Sequence, residues 1–168
     1  TAIYSFLLVG LAISPFVLLF PIYRINFFLG ISGKWALILP YVTMGISFNT
    51  LIFVGFIKTV PSELDEAAVI DGANLFQLIV KVITPVIKPA IATVIVFNAL
   101  YIWNEYPFAA IMLKDAADYT LARGIAFFKG TYNVIAAYSV LIIIPELIIY
   151  ALFQNSIVEG MTAGAVKG

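Results

Sequence analysis

The chain has no histidine and no cysteine, and charged residues make up only 11% of its 168 positions. Without histidine or cysteine it cannot supply a serine–histidine or cysteine–histidine nucleophile pair, a disulfide framework or the usual zinc ligand set. Nine Lys and Arg against nine Asp and Glu leave no basic footprint, which excludes a nucleic-acid binder. The sequence also lacks a glycine-rich loop running into Lys-Ser or Lys-Thr, so it holds no nucleotide site of that kind. What it has in abundance is apolar surface: 63% hydrophobic residues and a mean hydropathy of +1.09. Soluble domains are roughly 45–50% apolar and about 25% charged. A fold of this size could not bury so much and stay dissolved, and a disordered chain would not be so apolar. The composition is that of a membrane protein.

A helix needs roughly 20 predominantly apolar residues to cross the hydrocarbon core. Four stretches qualify. Thr1 to Tyr23 is uncharged and is expected to bend near Pro15; Trp35 to Ile57 lies between Lys34 and Lys58. Pro89 to about Leu113 is interrupted by Glu105, and about Val134 to Phe153 contains Pro145-Glu146. The first stretch lacks the basic start and small-residue cleavage site of a signal peptide. The first residue is Thr rather than Met, which reads as a processed or truncated start. The expectation is an all-α, polytopic membrane bundle of about four spans in one domain, residues 1–168. With alternating sides, Arg24, Lys34, Lys114, Arg123 and Lys129 face Lys58, Lys81, Lys88 and Lys167 across the bilayer. Five against four gives no orientation under the positive-inside rule.

The connection over 58–88 carries the most information. Ser62 with Asp65 three residues on resembles a capping start, and Glu63, Asp65 and Glu66 suit the positive end of a helix dipole. Asp71-Gly72 is a stop signal, and Asn74 with Gln77 reads as a second cap, opening a helix to about Ile83 before Pro85. Two short helices with a glycine bend result, rich in Ala, Val, Ile and Phe. On physics alone they fit equally an amphipathic pair on lipid headgroups and a knob docked in a partner's groove.

Two acids fall inside apolar runs, where charge is expensive. Glu105 is either a helix-end carboxylate reaching interfacial water or, with Asn104, part of a solute path or outer gate. Glu146 follows Pro145 and suits a carboxylate buried between helices with a hydroxyl or amide partner. Asn49, Asn98 and Tyr101 are further polar groups in the spans. Aromatic faces with amides and carboxylates suit carbohydrates, although most aromatics in such chains anchor helices at the interface.

Glu66-Ala67-Ala68, three residues, then Gly72, followed by Val82-Ile83-Thr84-Pro85, resembles the E-A-A signature of binding-protein-dependent ABC importer permeases. Thr84 departs from the leucine usual there. Val60-Pro61-Ser62-Glu63-Leu64-Asp65, Lys88-Pro89-Ala90, Trp103-Asn104-Glu105, Tyr119-Thr120-Leu121 and the Gly160 to Gly168 tail are similar to the maltose-type carbohydrate permeases, over roughly residues 21–168. The resemblance implies a permease subunit for a sugar or oligosaccharide, in the cytoplasmic membrane, whose core has six spans of which these would be the last four. It implies a second permease subunit, two cytoplasmic ATP-binding subunits and an extracytoplasmic solute-binding protein as partners, besides lipid. Coupling to the ATPase would fall on Glu66, Ala67, Ala68, Asp71, Gly72 and Pro85, with Gly164 and Lys167 of the tail reaching the same subunits. Asn98, Tyr101, Asn104 and Glu105 are the candidates for the solute path. No metal and no cofactor is expected, and hydrolysis belongs to the partner. A permease for a non-sugar solute, such as glycerol phosphate or a polyamine, is the alternative, followed by a non-transporting scaffold. An intramembrane enzyme finds no support, for want of paired acids. The tail, poor in side-chain bulk and in helix propensity, is expected to extend away from the fourth span.

Overall fold

A computed structural model describes residues 2–127 and 130–165 of the chain. Among the described residues all regular structure is helical. Helix α1 (Ala2–Leu8) runs on into a tight turn, Val9–Ala12, and α2 (Pro15–Phe28) leaves it at 99°. Pro15 at the first position of α2 cannot donate to the preceding turn, so the chain breaks there, as expected. The bend is sharp, and α2 continues past Tyr23 to Phe28. The first connection is therefore shorter than its charges suggested, because Arg24 sits in the last turns of a helix. Gly30 and Gly33, at φ +68° and +60°, make the turn into α3.

Helix α3 (Trp35–Ile57) and the segment Tyr132–Gln154 of α10 (Tyr132–Ala165) are each long and apolar enough to cross a membrane. Two bent pairs raise the number to as many as four: α1 with α2, and Leu75–Val86 with α7 (Lys88–Asn104), which meet at 76°. The third run breaks at Glu105, whose backbone is extended at φ −71° and ψ 118°, and resumes as α8 (Pro107–Met112). Helix α9 (Leu121–Phe127) lies in the last connection. Contrary to the expectation of an extended tail, α10 stays helical through Ala165, so Gly164 is part of it. Lys167 lies outside the described residues.

The largest buried cluster sits at one end, where α2, the start of α3 and α8 meet: Leu19, Ala36, Leu37, Tyr41, Phe108, Ala109, Met112 and Leu113. Pro40 gives α3 a defect there, since it has no N–H for the carbonyl of Ala36. The buried Asn26 side chain of α2 donates to that carbonyl at 3.0 Å. An unsatisfied backbone group in lipid costs several kcal/mol, so this bond joins two helices at the point of greatest need. A second buried set, Ala90, Thr93, Val94 and Val96, runs along α7, whereas no residue of the apolar window of α10 is buried.

Candidate functional site: the 58–88 loop and a cavity within the spans

The loop forms two short helices, α4 (Ser62–Ile70) and α5 (Leu75–Gln77). Helix α4 starts differently from expectation. Pro61, at φ −62° and ψ 136°, occupies the cap position, Ser62 is the first helical residue, and no side chain caps the end. Proline's fixed φ suits this edge of a helix, so the serine is not needed as a cap. Glu63 and Asp65 fall in the first turn.

The far end follows the glycine logic closely. Gly72 has φ +77°, its N–H bonds the carbonyl of Val69 at 3.0 Å, and the Ala73 N–H bonds that of Ala68 at 2.9 Å. This pair of bonds around a left-handed residue closes a helix C-terminus, and glycine takes the conformation without strain. Asn74 then caps α5 as its sequence foretold: its Oδ1 accepts from the Gln77 N–H at 2.9 Å, and the Gln77 Oε1 accepts from the Asn74 N–H at 3.0 Å.

Beyond α5 the chain does something the sequence did not announce. Leu78–Ile83 is π-helical, leading into the short α6 (Thr84–Val86). Pro85 would clash with an ordinary turn below it, and a wider turn relieves the clash. The carbonyl of Ile79 accepts both from the Thr84 N–H and from the Thr84 hydroxyl, the latter at 2.7 Å. The residue that departs from the usual leucine thus has a definite local role. Helix α4 packs against this π turn, and Ala68 is its one buried residue. Glu66, Ala67, Asp71, Gly72 and Pro85 are exposed. So are four large apolar side chains: Val69 (65%), Ile70 (85%), Leu75 (72%) and Phe76 (74%).

A cavity of about 420 Å³ lies between the α1–α2 bend, α3 and α7. Asn98 and Tyr101 line it from α7, facing Tyr41, Thr43, Ser47 and Phe48 of α3. Asn98 donates to Asn49 Oδ1 and to the Val94 carbonyl, both at 2.7 Å. Gly45 makes room for this amide pair, since a Cβ there would lie 3.1 Å from Asn98 Oδ1. Phe48 and Phe97 meet edge to face beside it, with ring centres 5.6 Å apart.

The other two candidates lie outside this cavity. Glu105 is 7% exposed and faces into the protein. Its carboxylate accepts from the Phe108 N–H at 2.7 Å, the Ala109 N–H at 3.1 Å and the Tyr41 hydroxyl at 2.5 Å. It thereby satisfies the free N–H groups that open α8 and ties them to α3, which explains an acid in an apolar run without any solute. Asn104 is exposed at the end of α7, where its amide donates to the Leu100 carbonyl at 2.9 Å and to Glu146 of α10. Glu146 is half-buried and has the amide partner its setting called for. Beside this pair Trp103 donates its indole N–H to Ile142 at 3.2 Å, in the turn that Pro145 disturbs.

Arg123 escaped the sequence reading except as a charge. It is 6% exposed, donates to the Ala109 carbonyl at 2.7 Å and lies 4.2 Å over the Tyr119 ring, fastening α9 to α8. Its own N–H bonds the Thr120 hydroxyl oxygen at 3.3 Å, and a basic residue three positions after that threonine was its only signal. Asn26 was missed as well; a polar residue late in an apolar run with a proline in the next helix is the trace it leaves.

The profile of the family described as binding-protein-dependent transport system inner membrane component matches residues 1–162. The chain belongs to this family. Among curated relatives, the permease is 37% identical over 171 residues to the multiple sugar-binding transport system permease protein MsmG of Streptococcus mutans, covering 98% of this chain and 61% of the relative. It is 30% identical over 173 residues to the melibiose/raffinose/stachyose import permease protein MelC of Bacillus subtilis, covering 99% and 63%. Over 138 residues it is 36% identical to the trehalose/maltose transport system permease protein MalG of Thermococcus litoralis, covering 79% and 50%. The permease thus spans about three fifths of the length of MsmG and MelC. The family and the apolar helices agree on a multi-pass inner-membrane component.

Proposed function

We propose that the permease forms part of the sugar pathway of an ATP-driven importer and docks a cytoplasmic ATP-binding subunit through the Glu66 to Gly72 loop. The observation that carries this reading is the exposed apolar knob of Val69, Ile70, Leu75 and Phe76, turned by Gly72 and held outside α3 and α7. Small residues at Ala67 and Ala68 keep α4 slim enough for a cleft, and Glu66 is free to meet a basic residue of the partner. Isolated apolar side chains on a surface mean little, whereas a contiguous group on one short turn marks an interaction site. Sugar is the solute favoured by the names of the relatives MsmG, MelC and MalG.

Asn98 and Tyr101 offer amide and phenol groups to sugar hydroxyls within an apolar wall, as small-molecule sites do. The exposed Asn104, paired with Glu146, would be costly against lipid, so this face of α7 and α10 looks onto the pathway or a second permease subunit. Glu105 enters as a positioning residue for α8 and Tyr41 and not as a solute contact. Loop 58–88 lies on the cytoplasmic side in this reading, and an extracytoplasmic binding protein delivers the solute at the other. The 34 residues of α10 extend about 50 Å, well beyond a core of about 30 Å, so that Gly164 can reach toward the ATP-binding subunits; Lys167 is assigned to the same contact from its sequence position alone.

The test is purification of the full-length permease from its own membrane. An ATP-binding subunit should come with it, and ATP turnover should rise when sugar-loaded binding protein is added. A permease that purifies alone, with no stimulated turnover, contradicts the assignment.

A further inference from the structure

A second cavity, of about 460 Å³, lies at the opposite end of the spans from loop 58–88, between the end of α2, the turn into α3 and the connection after α8. Its size falls within the range of small-molecule sites, about 300–1,000 Å³. Its deep wall is made by the buried residues Asn26, Ala36 and Met112, which are already bonded to one another through the Asn26 amide. Its rim carries three charges, Lys114, Asp115 and Asp118, which form no ion pair with one another among the described residues. Asp115 gives one carboxylate oxygen to the Ala117 N–H at 3.1 Å, which orients the group and leaves its second oxygen open. Asp118 sits over Gly33, where a Cβ would come within 3.0 Å of Oδ2; the bare backbone at φ +60° is what lets the carboxylate close over the turn. The Lys114 ammonium stands 5.8 Å from the centre of the Tyr23 ring at the same mouth.

From this arrangement we infer that the cavity is a second solute site, a mouth subsite that takes a neutral, hydroxyl-rich molecule of the sugar class. The inference rests on the sugar-permease reading for its ligand, but the cavity is separate from the one lined by Asn98 and Tyr101. Carboxylates that can only accept stand beside an ammonium that can only donate, and hydroxyl groups do both. Hydrogen bonds to such charged groups are about twice as strong as neutral ones. The Ala36 and Met112 wall suits the C–H face of a sugar ring. An ion of either sign would meet a like charge on the rim. At this position the site would hold a solute before it passes to the deeper cavity.

Saturation-transfer NMR on the full-length permease in lipid nanodiscs, without binding protein and with melibiose and maltose as probes, tests the site directly. Wild type should transfer magnetisation to at least one of the two sugars. Asp118→Asn should weaken that binding about tenfold, the loss of one charge-assisted hydrogen bond. Asp115→Asn should do the same, while Asp65→Asn, on α4 and outside both cavities, should leave this signal in place. Equal signals from wild type and both aspartate variants overturn the proposal, as does the absence of any signal from wild type with either sugar. Uptake by the assembled transporter separates the two readings. Sugar bound in nanodiscs but not taken up by wild type sinks the transport reading and leaves the mouth site standing.

Discussion

Asn26 and Glu105 do the same job by different chemistry: each meets backbone groups that a proline or a helix start leaves unpaired. The Ala36 carbonyl, orphaned by Pro40, takes the Asn26 amide. The opening N–H groups of α8 take the Glu105 carboxylate, which also holds Tyr41. Removing such a partner strands buried donors at about 1–3 kcal/mol each. Glu105→Ala should therefore lower the thermal midpoint of the detergent-purified permease by several degrees, a loss of about 2–5 kcal/mol. Glu105→Gln keeps one accepting oxygen and should lose roughly half as much. A Glu105→Ala protein as stable as wild type, but deficient in sugar binding, would return this residue to the solute path. From sequence Glu105 fitted a carboxylate at interfacial water or a place on the solute path; instead it is buried on the N–H groups of α8, a role not among those readings. The Tyr41 partner that helps hold it there lies on another helix, distant in the chain.

At the scale of elements, the signals that were legible are those that act over a few residues. The Asn74–Gln77 box, the Gly72 stop and the Trp35–Ile57 span follow from local chemistry and stand where that chemistry puts them. The box should be worth about 1 kcal/mol, so Asn74→Ala should raise hydrogen exchange of the Gln77 amide about fivefold, read by mass spectrometry on the membrane-embedded protein. Unchanged exchange would mean that packing against the π turn, not the cap, holds α5. What could not be read locally went differently. The π turn answers Pro85 through Thr84 and a distant carbonyl, a choice among several ways to absorb a proline. Helix α10 passes through Pro145 and the glycines of its tail because hydrogen bonding along one helix outweighs propensities of about 1 kcal/mol per glycine. The Ser62 start gave way to Pro61 for the opposite reason: two adjacent residues both suited the edge, and their order decided it.

For the molecule as a whole, much apolar surface faces outward, and the largest buried cluster sits at one end, with a further buried set (Ala90, Thr93, Val94 and Val96) along α7. Lys58 lies 5.5 Å from the Tyr4 ring, so the start of the first bent pair and the end of α3 share a side with loop 58–88. The connection bearing Asp118 lies at the other end. With no native cysteine, Ser62→Cys and Asp118→Cys should label from opposite faces with an impermeant reagent, Asp118→Cys alone reacting in intact cells. Labelling of Ser62→Cys from outside would reverse the orientation proposed for loop 58–88.

Within that loop the proposed docking turns on Gly72. A valine there must take a φ near +77°, which costs about 1–2 kcal/mol, and its branched side chain would meet the wall of any cleft that holds the turn. In the permease alone a Cβ at Gly72 has nothing within 4 Å, so the membrane helices keep their packing. The measurement is sugar uptake by cells carrying full-length Gly72→Val permease, with the ATP-binding subunit retained on purification read in the same preparation. The variant should be inserted at the wild-type level, lose the ATP-binding subunit and take up sugar about tenfold more slowly or not at all. Wild-type uptake with the ATP-binding subunit still attached would contradict the proposed docking.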